Sequence, residues 1–216
     1  MPMSLINDSI EQVKMVAPIL SVIYTILLGL LFFVFIIGAQ LDIPIARFTR
    51  DPAAIFDAHP FTGVISNIGI LFWCSTAAVC FFTSVIHSKK GNIEIGNFLL
   101  FSGLLTSVLL LDDLFMFHEF MFPEILYIPQ IVTYLGYLVL ALIYFTKFRS
   151  AIFQTEYIIL LIACIFFGLS IFCDIFLPQK GIEFLVEDGF KLFGIVTWSI
   201  FFTRTCFIQT QKIVAS

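Results

Sequence analysis

The sequence predicts an all-α integral membrane protein, a bundle of six transmembrane helices with both termini in the cytoplasm. The composition is the first observation: 60% of the 216 residues are apolar and 12% are charged, whereas soluble domains carry about 25% charged residues. The second is that six apolar runs approach the ~20 residues that a helix needs to cross the hydrocarbon core. The third is that basic residues gather on one side of the resulting topology.

The six runs follow a polar N-terminal segment. Residues 1–16 mix charged and apolar side chains, which predicts either a short interfacial helix or a solvated tail. No cleavage site is evident, so we expect the first run to act as an uncleaved signal anchor. Each run must be helical, because its backbone finds no water to bond in lipid. As a single membrane domain, residues 1–216 then contain spans at 17–39, 61–86, 95–117, 128–145, 157–176 and 184–203.

The orientation follows from the loops. With the N-terminus inside, the outer side holds Arg47, Arg50 and Lys180, two of them in the outer loop at residues 40–60. Because cytoplasmic loops carry the excess of Lys and Arg, the larger set on the other side predicts N-in and C-in in the cell (inner) membrane. That cytoplasmic set is Lys14, Lys89, Lys90, Lys147, Arg149, Arg204 and Lys212.

Charge and cysteine usage exclude some classes of function. The net charge is −4 and no basic cluster is present, so we expect no nucleic-acid partner. The five cysteines fall in or beside apolar runs without a CxxC spacing, which is typical of buried thiols and not of a disulfide framework.

The third span carries an unusual set of ionisable residues near its end. Asp112 and Asp113 lie about two turns before the exit, where His118 and Glu119 follow. An acid at membrane depth costs roughly 2.5–3.5 kcal/mol on insertion scales and persists mainly where it faces a partner or a cavity. Asp112 and Glu119 share a helix face, whereas Asp113 points about 100° away. An ideal helix therefore cannot aim all four groups at one point, so we expect either a separate partner for Asp113 or a distorted helix end.

The fifth and sixth spans bring further polar residues to the same predicted outer end. Ser170 and Asp174 share a face of the fifth span, and the sixth span begins with Glu187, Asp188 and Lys191. Lys191 stands four and three residues after the two acids, which are spacings that pair charges on a helix. The sequence therefore predicts an acidic pocket at the outer ends of the third, fifth and sixth spans. We also predict that Asp57 and His59, in the outer loop, belong to a lid over it.

Five intramembrane acids oppose a single lysine, so the surplus carboxylates need protons, a metal ion or a cationic ligand. Carboxylates with one imidazole suit a divalent cation whose identity the pattern leaves open. The predicted ligands are Asp112, His118, Glu119, Asp174 and Glu187. Of these, the predicted catalytic residues are Asp112, His118, Glu119 and Glu187. The predicted supporting or ion-paired residues are Asp113, Ser170, Asp188 and Lys191.

Three function classes follow from this pocket. In the first, a membrane-embedded enzyme uses a carboxylate-bound metal to act on a lipid or lipid-soluble substrate. In the second, the same acids serve a proton- or cation-coupled transporter or channel-like protein. In the third, Lys191 neutralises Glu187 or Asp188, the other acids are protonated or hydrogen-bonded, and the cluster only fixes the bundle of a structural or assembly subunit. The lipid bilayer is the one partner common to all three, and the pattern leaves open whether the chain is an enzyme and whether it is oligomeric.

Overall fold

The computed structural model describes residues 3–50, 52–176 and 182–215. Met1 and Pro2 of the predicted N-terminal segment, and Lys180 of the predicted outer side, lie outside these residues. Throughout the described part the chain is helical and has no strand. The elements are α1 (Met3–Leu41), α2 (Ala46–Thr49), α3 (Pro52–Ile55), α4 (Val64–Lys89), α5 (Ile93–Phe115), a π-helix (Phe117–Ile125), α6 (Gln130–Lys147), α7 (Arg149–Phe153), α8 (Tyr157–Phe176) and α9 (Ile182–Ala215).

Six of the helices within the described residues are long and apolar enough to cross a membrane. That finding indicates a multi-pass membrane protein. The fifth predicted span, residues 157–176, has the bounds of α8. The third and fourth are displaced by two residues or fewer at each end, because the chain turns at Met116 and at Pro129. The orientation of the spans stays a prediction.

The chain divides into two compact units, residues 1–62 and 63–216. In the first unit, α1 runs without interruption from Met3 into the first predicted span. Residues 3–16 are therefore helical and continuous with that span, and their interfacial or solvated location stays a prediction. Two single-turn helices, α2 and α3, follow in the predicted outer loop. The single membrane domain predicted for the whole chain stays a prediction.

The second unit is a helical bundle in which α9 is the central element. Helix α4 packs against α5 and α9, and α8 packs against α9. Phe98 of α5 and Phe201 and Phe202 of α9 are fully buried at the centre of the core. Helix α6 packs on the π-helix and α7. Hydrophobic packing therefore holds α4, α5, α8 and α9 together, and α6 joins this core through Tyr144, whose ring stacks on Phe98 of α5.

Helix α9 extends 12 residues beyond the predicted end of the sixth span, from residue 203 to Ala215. The apolar run stops at Arg204, but the helix does not, because one of its faces still packs on the bundle: Thr205, Cys206 and Gln209 are buried. Arg204 forms a two-bond pair with Glu156, at 2.5 and 2.6 Å. This pair fastens α9 to the residue just before α8.

Candidate functional site

The site begins where α5 ends and the backbone changes its helical pitch. Met116 adopts a left-handed conformation, with φ 50° and ψ 47°. The nine residues that follow form a π-helix, in which the amide of Met121 bonds to the carbonyl of Met116 at 3.0 Å. π-helical turns are rare and are frequent at functional sites. The change of pitch brings His118 back against Asp112, which a continuous α-helix would not do. The structure contains both of the alternatives derived from the sequence: the helix end is distorted here, and Asp113 has separate partners, Lys191 and Trp73.

Asp112 is a buried carboxylate that accepts three hydrogen bonds. The ring Nδ1 of His118 lies 2.5 Å from Oδ2, and the backbone N–H of His118 donates to Oδ1 at 3.0 Å. The hydroxyl of Tyr137, on α6, donates to the same Oδ1 at 2.6 Å. Hydrogen bonds to an ionised acceptor are among the strongest in proteins. Asp112 therefore ties the end of α5, the π-helix and α6 to one carboxyl group.

His118 is cationic in this setting. Burial favours the neutral imidazole, but the hydrogen bond with Asp112 and the neighbouring carboxylate of Glu119 outweigh it and raise the pKa of His118 to about 9. Glu119 Oε1 lies 3.3 Å from the ring Nε2. In turn, His118 is the main cause that holds the pKa of Glu119 below its usual range. The two residues form an ion pair just beyond the end of α5.

Asp113 faces a different set of partners. Lys191 on α9 places Nζ 2.7 Å from Oδ1 of Asp113, and the indole of Trp73 on α4 donates to Oδ2 at 2.7 Å. The same ammonium lies 3.8 Å from Oε1 of Glu119. Lys191 therefore joins the His118 pair to the Asp113 pair. We call Asp112, Asp113, His118, Glu119 and Lys191 the ionic network.

Asp174 lies in a second polar group on the α6–α8 side. The hydroxyl of Tyr134 and the side-chain amide of Gln130 donate to its Oδ2 at 2.6 and 2.9 Å. The ring of Tyr134 also lies 5.4 Å from the ring of His118, centroid to centroid. Tyr134 is thus the contact between the Asp174 group and the ionic network.

Two cavities meet at the ionic network. The large cavity, about 340 Å³, lies among α5, α6, α8 and α9, and the small cavity, about 310 Å³, lies among α4, α5 and α9. Asp112, Asp113 and Lys191 line both cavities. These three side chains therefore form the partition between the two spaces.

The structure brings the residues predicted for the site together only in part. Ser170, Asp174 and Glu187 line the large cavity, and Asp188, which is exposed, lines the small one. The predicted lid residues lie in the first unit. Asp57 has a left-handed backbone, and the carbonyl of His59 accepts from the amide of Thr62 at 2.8 Å. Their role as a lid stays a prediction.

Several of the residues predicted to bind a divalent metal ion contact one another. In the ionic network, the carboxylates and the imidazole contact one another and the ammonium of Lys191. The ammonium thus supplies positive charge where a metal ion would. No group of three or more His, Cys, Asp and Glu side chains in the described part of the chain is arranged to hold a metal ion. The metal ion stays a prediction, and the contacts described here do not depend on it.

Four residues of the site are not among those predicted from the sequence: Trp73, Gln130, Tyr134 and Tyr137. A signal was present for three of them, because Gln130, Tyr134 and Tyr137 are spaced four and three residues apart and form a polar stripe on an apolar span. Trp73 gives no such signal, since a single tryptophan in an apolar run is typical of any membrane helix.

The chain was also compared with known proteins. A family model described as Domain of unknown function (DUF8692) matches residues 21–205. No curated protein and no solved structure matches the chain. The matched range includes every residue that lines the two cavities.

Proposed function

The chain belongs to the family described as Domain of unknown function (DUF8692), and we propose its function from the site alone. The ionic network transfers protons between the two cavities of a membrane protein. The single observation that carries the proposal is that Asp112, Asp113 and Lys191 line both cavities. A proton that passes from one space to the other meets these ionisable groups. Of the three classes derived from the sequence, this one is the proton- or cation-coupled transporter.

The contacts within the network suit proton transfer. Three of the contacts between ionisable groups, Asp112–His118, His118–Glu119 and Lys191–Asp113, lie within hydrogen-bond distance, at 2.5–3.3 Å. Lys191 and Glu119 are 3.8 Å apart, so a proton passes between them through a bridging water or after a small side-chain movement. Chains of Asp, Glu and His within membranes serve as proton relays in pumps and transporters. The raised pKa of His118, about 9, means that the imidazole holds a proton at neutral pH.

Buried polar side chains continue from the network along the bundle. The indole of Trp198 donates to Thr106 at 3.1 Å, and Ser102 shares a hydrogen bond of 2.6 Å with Tyr144. Near the opposite end of α4, His87 is buried, and neither ring nitrogen has a hydrogen-bond partner within the described residues. These side chains place polar groups at several depths of an otherwise apolar core, which a path for protons requires.

The enzyme class remains a second proposal, supported by the large cavity beside a buried His–Asp pair. A carboxylate that orients an imidazole is a frequent arrangement for general acid–base chemistry. In that reading, His118 would exchange a proton with a substrate in the large cavity, with or without a metal ion at the carboxylates. The partition between two cavities favours the transfer of protons over this alternative.

Proton flux into liposomes tests the proposal. The purified protein is reconstituted with a pH-sensitive dye inside, and a potassium gradient with valinomycin drives protons inward. We expect the parent to acidify the lumen faster than protein-free liposomes, and Asp112→Asn and His118→Gln to lower the rate at least tenfold. Glu94→Gln is the matched control, since Glu94 lies on the first turn of α5, exposed and away from the network. Parent flux equal to that of empty liposomes, or equal flux in all variants, would contradict the proposal.

A further inference from the structure

The large cavity is lined in part by aromatic rings. Trp73 and Phe167 are stacked, with ring centroids 5.7 Å apart and planes inclined by 15°. The ring of Trp198 packs edge-on against both, at 6.0 and 6.1 Å. We call these three residues, all of which line the cavity, the aromatic cluster. Rings pack favourably on other rings, stacked or edge to face, so this wall suits a ligand that contains a ring. The volume, about 340 Å³, lies at the lower end of the range for small-molecule sites, roughly 300–1,000 Å³.

The charges of the lining favour a neutral ligand. Among the described residues, each charged side chain that lines the cavity already takes part in an interaction within the protein. These side chains are Asp112, Asp113, His118, Asp174, Glu187 and Lys191. A charged head group would lose its hydration in the cavity and would have to compete with these interactions for a counter-charge, which is costly. A neutral head group avoids that cost.

The tyrosines of α6 select a head group that donates a hydrogen bond. A phenolic hydroxyl has a single proton to donate. Tyr137 donates its proton to Asp112, and Tyr134 donates its proton to Asp174, each at 2.6 Å. Both tyrosines line the cavity, so toward a ligand their oxygen atoms are acceptors. Tyr134 also accepts from the side-chain amide of Gln130 at 2.9 Å, which makes Tyr137 the better acceptor for a ligand hydroxyl. A carbonyl or ether oxygen would receive no proton from either tyrosine.

The cavity also has an entrance from the side. Leu138 of α6 and Ile171 of α8 line it, yet they are 54% and 38% exposed. Gly168 of α8 lines it as well, is exposed and has nothing within 4 Å of the position of a Cβ atom. The gap between α6 and α8 therefore opens onto the apolar flank of the bundle, where lipid lies in a membrane. A lipid-soluble molecule can enter there without crossing water, and its apolar tail can remain in the gap.

We infer that the large cavity binds a lipid-soluble phenol, with its ring on the aromatic cluster, its hydroxyl donating to Tyr137 and its alkyl tail leaving between α6 and α8. A phenol ionises at about pH 10 and is therefore neutral at physiological pH. Hydroquinones with an alkyl tail belong to the same chemical class, because they too present a neutral hydroxyl on an aromatic ring. This inference goes beyond proton transfer and does not require that protons move through the ionic network.

The two tryptophans provide the readout. Trp73 and Trp198 are the only tryptophans of the chain, both line the large cavity, and they are 2% and 3% exposed. They are shielded from bulk lipid, so a bromine atom on a ligand ring gives saturable quenching only after entering the cavity. The protein in phosphatidylcholine nanodiscs is titrated with 3-bromo-4-decylphenol. Three further titrations use its methyl ether, which lacks the donor, 3-bromo-4-decylbenzoic acid, which is anionic, and 2-bromododecan-1-ol, which lacks the ring. We expect saturable quenching by the phenol and at least tenfold weaker binding of the other three.

Variants at the cavity wall complete the test. Tyr137→Phe removes the acceptor, and Gly168→Leu adds a side chain at the entrance, where a Cβ meets open space, so the second variant folds even if the first does not. Both should weaken phenol binding at least tenfold. Gly136→Leu on α6, which also meets open space but does not line the cavity, should leave binding unchanged.

Four results would each overturn the inference. They are the absence of saturable quenching by the phenol, equal binding of any of the three comparison compounds, undiminished phenol binding in Tyr137→Phe, and undiminished phenol binding in Gly168→Leu. Proton flux into liposomes is a separate readout, so the failure of this inference and the failure of proton transfer are distinguishable.

Discussion

Lys191 of α9 places its ammonium 2.7 Å from Asp113 of α5, although Glu187 and Asp188 of its own helix lie one turn away. Lys191 thus forms a pairing between helices, and the pairing with Glu187 or Asp188 predicted from helix spacing stays a prediction. Asp113 is the more buried partner, with a side chain 8% exposed, whereas Asp188 is exposed to solvent. A counter-ion stabilises a desolvated carboxylate more than a hydrated one, since the Coulomb attraction is stronger in a low dielectric.

Removal of Lys191 tests how far the folded protein depends on the ion pair between Lys191 and Asp113. Lys191→Met leaves Asp113 without a cation, and breaking a buried pair costs on the order of 3–5 kcal/mol. We expect a marked loss of thermal stability in mild detergent. The double variant Lys191→Met/Asp113→Asn should recover much of it, because no uncompensated charge remains. A single variant as stable as the parent would show that Lys191 reaches water and holds no buried charge.

The pKa of His118 predicts a stability that falls with rising pH. Its value in the folded protein, about 9, lies above its ordinary value of 6.5. The contribution of His118 is therefore fully present below pH 6.5 and is lost as the pH rises through about 9. Melting temperatures measured from pH 6 to pH 10 should decline across this window in the parent. His118→Gln should flatten that decline, and an equal decline in the variant would assign the titration to another group.

The metal prediction is tested at Asp112. If a divalent cation binds, Asp112→Asn should abolish stoichiometric metal in elemental analysis while the protein remains folded, since Asn keeps the shape and loses the charge. Asp113→Asn should lower metal content less, because Asp113 faces Lys191 and Trp73. Equal metal content in the parent and both variants would reject a metal site built on Asp112.

Gly194 allows a test of how the cavity wall is packed. A Cβ atom at Gly194 would lie 2.7 Å from the ring of Phe167, which stacks on Trp73 and lines the large cavity. Gly194→Ala should therefore displace that ring and destabilise the protein by about 1–3 kcal/mol, as overpacking does. Gly189→Ala is the matched control on the same helix, since its Cβ meets open space. A gain in stability at both positions, from helix propensity alone, would mean that the ring moves freely.

The predicted orientation is tested with reporters. A fluorescent protein that folds only in the cytoplasm, fused after Ser216, should be fluorescent, and a cysteine at Lys89 should be protected from an impermeant reagent in intact cells. A cysteine at Asp57 should react. Reaction at Lys89 and none at Asp57 would reverse the orientation and leave the contacts of the site unchanged.

The sequence alone determined the helical class and the six helices long and apolar enough to cross a membrane that the described part of the chain contains. Those features are local, because an apolar run of sufficient length has only one favourable backbone in lipid. The convergence of acids near the ends of three helices is also readable from chain direction. Residue pairings such as Asp112 with Tyr137 are not, since the two residues are 25 positions apart in the sequence and their contact depends on how α6 is rotated.

The tertiary structure decided which charges meet. The left-handed turn at Met116 and the π-helix after it turn His118 back to Asp112, and no sequence periodicity indicates such a change of pitch. Packing of α9 between α4 and α8 places Lys191 against Asp113. The two cavities exist for the same reason, because space between helices is set by the side chains of several elements at once.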